Sequence, residues 1–116
     1  MPKMYFMDTG LRNSLLNNFQ PISQRFDRGE LWENAIFRGL ADTYEPEEIR
    51  FWRTADGKEV DFVLPEIAGP IALEAKFDGQ LTKPAKYKLF QETYPKIDFQ
   101  FASFLPFSEE VIRRYF

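Results

Sequence analysis

Residues 51–77 read FWRTADGKEVDFVLPEIAGPIALEAKF, and the fold turns on how this run pairs with itself. Residues 59–64 (EVDFVL) and 71–77 (IALEAKF) alternate apolar and charged side chains, the period of strands resting on an apolar layer. Residues 65–70 supply the turn between them. Ahead of both, Ala55-Asp56-Gly57 joins a further strand at residues 49–53 (IRFWR) as a tight hairpin. Alternation alone places Val60, Phe62 and Leu64 on one face of the second strand, with Glu59 and Asp61 on the other. In the third strand Ile71, Leu73, Ala75 and Phe77 face one way, and Glu74 and Lys76 face the opposite way. A hairpin that lays the two polar faces together brings Asp61, Glu74 and Lys76 to one place.

Working outward, Asp27 with Glu30 three residues on has the form of a capping box, Asp standing in the hydroxyl role. The helix it opens carries Leu31, Trp32, Ala35, Ile36, Leu40 and Ala41 as a wide apolar stripe. Glu33 lies at the margin of that stripe, at helical spacing from Phe37 and Leu40. Further upstream, residues 3–7 (KMYFM) read as a short strand. Asp8 or Thr9 then caps a short helix through Leu11, Leu15 and Leu16, and residues 17–26 read as a loop. Downstream, Thr82 or Lys83 starts a helix with Pro84 in its first turn. Tyr87, Phe90 and Tyr94 form its apolar stripe, and Pro95 ends it. Residues 97–104 (IDFQFASF) alternate as a fourth strand, and Ser108 with Glu110 and Val111 opens a last short helix. The expected fold is α/β around a mixed sheet. Residues 27–116 form the domain, in the order helix, three strands, helix, strand. Residues 1–26 form a strand-and-helix extension that packs against a preceding module.

Composition narrows the chemistry. At 116 residues the chain holds one core, and 44% apolar residues with 13 Phe suffice to bury it. No apolar run reaches membrane-spanning length and no signal pattern opens the chain, so a cytoplasmic location without membrane attachment is expected. With no Cys and no His there is no thiol nucleophile, no imidazole base and no soft metal site. Reactions are left to carboxylates, Lys, Tyr, hydroxyls and a hard cation such as Mg²⁺ or Mn²⁺, and no covalent cofactor is expected. The net charge of −3 argues against a general polyanion-binding surface.

Asp61, twelve intervening residues, then Glu74-x-Lys76 is the pattern nearest to a reaction. Two carboxylates and the Ala75 carbonyl can hold a divalent cation, and Lys76 can orient water or stabilise charge on a phosphate. Glu33 would complete the shell from the preceding helix, with Glu59 one step outside it. Lys83, Lys86 and Lys88, with Arg113 and Arg114, would offer contacts to nucleic-acid phosphates. The plain alternative is a solvated polar face with a cross-strand Glu–Lys pair, an ordinary basic helix face, and Trp32 and Trp52 as core.

Glu33, Glu59-Val60-Asp61-Phe62-Val63 and Leu73-Glu74-Ala75-Lys76, in that element order, resemble the PD-(D/E)XK, or restriction-endonuclease-like, superfamily. More narrowly, MYFMDTGLRNSLL, RGELWENAIF and FWRTADGKEVDFVL look like the C-terminal domain of a family of prokaryotic AAA-type ATPases. That domain has no defined function. The likeness covers nearly the whole chain from Lys3. It implies a restriction-endonuclease-like core with Asp61, Glu74 and Lys76 at the metal and catalytic positions and Glu33 as the helix carboxylate. It implies metal-dependent phosphodiester hydrolysis of DNA or RNA, or else a catalytically silent interaction or regulatory domain partnered by an ATPase and winged-helix module. Val60 stands where a Pro often precedes the Asp. No GxxxxGK[ST] phosphate loop is present, so no ATP site is expected, and the chain is read as a truncated piece, a gene remnant or a stand-alone relative. A plain nucleic-acid-binding module fits the negative charge poorly.

Overall fold

The computed structural model describes residues 4–105. Lys3, the helix expected at Ser108, Arg113 and Arg114 lie outside them. Strands β1 (Arg50–Arg53), β2 (Glu59–Leu64), β3 (Ile71–Asp78) and β4 (Asp98–Leu105) form one four-stranded sheet in the order β1-β2-β3-β4. The first two pairings are antiparallel and β3–β4 is parallel, so the sheet is mixed. A parallel pair needs a crossover, and the chain supplies a 3₁₀ turn (Pro84–Tyr87) running into helix α3 (Lys88–Thr93).

Both faces of the sheet are covered. Helix α2 (Arg28–Leu40) lays Trp32, Ile36 and Leu40 on Phe62, Leu64, Ile71, Leu73 and Phe77. The Trp32 indole N–H also donates to the Ala102 carbonyl at 2.9 Å, which ties α2 to β4. On the opposite face Tyr87 and Phe90 pack on Val60 and Ala72, flanked by Trp52, Phe99 and Phe101. The result is an α/β domain in three layers, with element order α2, β1, β2, β3, α3, β4. No helix among the described residues is long and apolar enough to cross a membrane.

Four expectations need correction. Residues 4–7 are not a strand. The buried Asn34 amide takes the part a strand partner would play: its Oδ1 accepts from the Phe6 N–H and its Nδ2 donates to the Phe6 carbonyl, both at 2.8 Å. Asp27 precedes α2 without capping it, because its carboxylate is taken by Arg25 and Arg12. The helix expected from Thr82 is 3₁₀ through Tyr87 and α-helical only from Lys88. The alternation in β2 also breaks, with direct consequences for the candidate site.

Upstream, α1 (Thr9–Leu16) is capped by Asp8, whose Oδ1 accepts from the Leu11 N–H at 3.1 Å. Its inward contact is polar. Arg12 Nη1 reaches Asp27 Oδ2 at 2.9 Å, while Leu11, Leu15 and Leu16 are exposed.

Candidate functional site

Across the β1–β2 pair, Arg50 faces Val63 and Trp52 faces Val60, so two steps on β1 span three on β2. That is a β-bulge, one extra residue in β2 near Asp61. It sends Val60 into the α3-side cluster while Phe62 and Leu64 face α2, where uniform alternation would have kept all three together. In β3 nothing interrupts the period. Ile71, Leu73, Ala75 and Phe77 face α2, and Ala72 and Glu74 turn to the α3 side.

The regular β2–β3 pairing ends at Phe62 opposite Leu73. One step further, the side chains of Asp61 and Glu74 stand in for the ladder. The Asp61 N–H donates to Glu74 Oε1 at 3.1 Å, and the Ala75 N–H donates to Asp61 Oδ2 at 2.9 Å. The two strands thus fork, and each carboxylate fills the opening by accepting from the opposite backbone. Both residues are buried, which their bonds to the fork make tolerable. The Tyr87 O–H, delivered by the 3₁₀ turn, donates to Glu74 Oε2 at 2.5 Å. Lys76 Nζ lies 3.5 Å from the same oxygen and 5.9 Å from the centre of the Tyr87 ring.

Burial pushes the Glu74 carboxyl up to about 7, and the neighbouring Asp61 adds to the rise, against the hydrogen bond from Tyr87 and the charge of Lys76. Glu74 therefore takes up a proton near neutrality, where an isolated glutamate would be ionised. The Tyr87 phenol is held protonated, first by burial and then by its bond to Glu74.

The structure brings Asp61, Glu74 and Lys76 together. Ala75 contributes its N–H there while its side chain packs on the α2 face. Glu33 and Glu59 line a cavity of about 360 Å³ on the α2 side, alongside Tyr5 and Asn34. Tyr5 shares that cavity with Glu33 and lines another with Asp61; burial first, then the negative fields of these acids, holds its phenol protonated. Glu59 also lines a cavity on the α3 side with Glu74 and Lys76, and it bonds to Arg53 at 3.0 Å. Among the described residues no three carboxylates stand close enough together to enclose a metal ion. Of the expected phosphate contacts, Lys86 lines that same α3-side cavity and Lys88 turns to Glu92 at 3.8 Å. Lys83 precedes the 3₁₀ turn and is exposed.

Two site residues escaped the sequence reading. Tyr87 reads as one more aromatic on a helical stripe, and only the 3₁₀ geometry turns its hydroxyl to Glu74. Lys58, which lines the α3-side cavity with Glu74 and Lys76, sits beside a hairpin turn, where a lysine carries no signal of its own.

A family model described as a domain of unknown function (DUF4143) matches residues 28–113. Two similar proteins, uncharacterized proteins of Mycobacterium bovis and Mycobacterium tuberculosis, are each 30% identical over 77 residues. The match covers 65% of this chain and 18% of each relative, so the chain spans less than a fifth of their length. No solved structure matches the chain. Because the family model covers most of the sequence, the fork included, the chain belongs to the DUF4143 family, whose function is unknown.

Proposed function

We propose that this chain is a PD-(D/E)XK nuclease-like domain with a restriction-endonuclease-like core that hydrolyses phosphodiesters of nucleic acid with a divalent cation. The observation that carries the reading is the buried fork: two carboxylates from adjacent strands, with an ammonium 3.5 Å from one of them. A pair that takes up a proton near pH 7 also suits a divalent cation, since either positive species relieves the same repulsion. Hard oxygen donors suit Mg²⁺ or Mn²⁺. Two carboxylates are a normal protein contribution to Mg²⁺, with water and substrate phosphate supplying the rest.

In this reading Asp61 and Glu74 hold the ion with the Ala75 carbonyl, and Glu33 adds its charge from the α2 side. The bound ion would supply Lewis-acid polarisation of the phosphoryl oxygen and a more acidic water. Lys76 orients the attacking water and neutralises charge developing on the phosphate. Tyr87 fixes the rotamer of Glu74, and Glu59 shapes the field from one step away.

Thermal unfolding with and without Mn²⁺ tests the site. Saturating ion raises stability by about 2.7 kcal/mol at a hundredfold excess over Kd. Asp61→Ala and Glu74→Ala abolish the rise, and its absence in the wild type ends the proposal. Incubation with single- and double-stranded DNA and RNA in Mn²⁺ then reads chemistry. Lys76→Ala lowers cleavage by roughly a hundredfold or more. Cleavage undiminished by that change belongs to a contaminant.

A second reading is a silent interaction or regulatory domain of an AAA-type ATPase, and the outward face of α1 favours it. Leu15 and Phe19 are 67% and 70% exposed, with Leu11 and Leu16 beside them, an apolar surface suited to another folded module. A stable complex with an ATPase and winged-helix module, lost in Leu15→Lys and accompanied by no cleavage, selects this reading.

A further inference from the structure

The cavity on the α3 side of the fork contains more cationic groups than the fork itself uses. It encloses about 440 Å³ and is walled by Lys58, Glu59, Glu74, Lys76, Lys86 and Tyr87. Three separate elements each contribute one ammonium: the β1–β2 hairpin, β3 and the 3₁₀ turn before α3. Lys58 and Lys86 are exposed, and neither forms an ion pair among the described residues. The acids of the same wall are already engaged. Asp56, also in the lining, accepts from Thr54 Oγ1, and Glu59 accepts from Arg53 Nε and Nη2 at 3.1 and 3.0 Å. Glu74 accepts from Tyr87 and from the Asp61 backbone. With Arg53 paired to Glu59 and Lys76 to Glu74, Lys58 and Lys86 face one further acid of the wall, Asp56, which leaves a surplus of one positive charge at this opening in a chain whose net charge is −3.

The cavity offers no ring for stacking. Tyr87 is buried, lies under Lys76 and packs on Phe99 and Phe101 at 5.1 and 5.3 Å. Cations without stacking platforms grip the phosphate backbone and do not read bases.

We propose that Lys58, Lys76 and Lys86 form a phosphate-backbone site that takes a polynucleotide strand without regard to base and sets one phosphodiester beside the Asp61–Glu74 fork. Delivery to the fork rests on the hydrolase reading; the binding does not.

Fluorescence anisotropy of a labelled oligothymidylate with the whole chain in EDTA tests it, since cleavage then plays no part. The wild type binds the strand, and an abasic strand binds within about twofold of it, because the phosphates carry the contact. Lys58→Gln and Lys86→Gln each weaken binding and each reduce the slope of log K against log salt by about 0.7. Lys88→Gln, outside the cavity, changes neither. Inorganic phosphate competes at high concentration. The site is refuted if the wild type fails to bind, if affinity collapses for the abasic strand, if the double Gln variant binds normally, or if Lys88→Gln weakens binding as much. It is refuted too if free phosphate raises the melting temperature while no strand binds. Strand binding through these lysines without cleavage in Mn²⁺ removes the hydrolase reading alone. Cleavage that is indifferent to the double Gln change removes this site alone.

Discussion

Two buried ionic groups in this molecule share depth and differ in sign. At the junction of α1 and α2, Asp27 lies between two guanidiniums. Arg25 Nε and Nη2 donate to it at 2.8 and 2.9 Å, and Arg12 Nη1 donates at 2.9 Å. The Arg25 side chain is fully buried, and its remaining nitrogen bonds to Asn13 Oδ1 and the Asn18 carbonyl. At the fork, Glu74 is as buried as Asp27, but its neighbour is another acid. The hydrogen bonds from Arg25 hold the Asp27 carboxyl down at about 2, whereas burial and Asp61 lift Glu74 to about 7. Burial opposes ionisation at both: at Asp27 the hydrogen bonds from Arg25 and Arg12 outweigh it, and at Glu74 it is the largest push, to which Asp61 adds. The first cluster is electrostatically complete and fastens one helix to another. The second binds a proton where its ionised form would be uncomfortable, the condition in which an added cation has most to offer.

The sharpest way to break this contrast is to remove the acid from the complete cluster. Asp27→Ala leaves Arg25 buried without its counter-charge, and unfolding by urea should show a loss of about 3–5 kcal/mol. A loss below about 1 kcal/mol would mean that the cluster is ornamental.

The pH dependence of stability separates the two groups next. Glu74 binds its proton more tightly in the folded chain than at its ordinary value of 4.5. Its contribution is therefore full below 4.5 and is lost as pH rises through about 7, by about 3 kcal/mol. Asp27 runs the other way. Its contribution is full above 3.8 and is lost as pH falls through about 2, by about 2 kcal/mol. Urea titrations across pH should show Glu74→Gln flattening the decline between 4.5 and 7 while leaving the acid limb in place. Parallel wild-type and variant profiles would show that Glu74 is an ordinary glutamate.

The smallest effect is expected at Tyr87. Tyr87→Phe deletes the hydroxyl bound to Glu74 and should cost about 1 kcal/mol at neutral pH. That bond opposes the rise in the Glu74 value, so the carboxyl should titrate higher in the variant, followed by its side-chain ¹³C shift. An unmoved titration would mean that the bond does not form in solution.

Much of this was legible in the sequence, and the illegible parts have two causes. The period of β3 sorted Glu74 and Lys76 from Ile71, Leu73 and Phe77 because no irregularity interrupts that strand. The same rule misplaced Val60, since one extra residue reverses the side-chain parity and leaves no mark in composition. Asp27 has the spacing of a cap, yet Arg25 two residues earlier outcompetes the backbone for its oxygens. The stretch Met4–Met7 has strand-like residues, but a strand needs a backbone partner, and here the Asn34 side chain takes that role. Local pattern was readable where local forces decided. It failed where a side chain took over a contact the backbone would have made, as at Asn34 and Arg25, and where one extra residue shifted the strand.

Because β2 carries one residue more than β1 across the bulge, tidiness and the acid pair exclude each other. Deleting the single residue between Val60 and Phe62, which is Asp61 itself, would let the hairpin zip uniformly and take half of the acid pair with it. The flaw in the weave and the chemistry of the fork are one inheritance, lost or kept together.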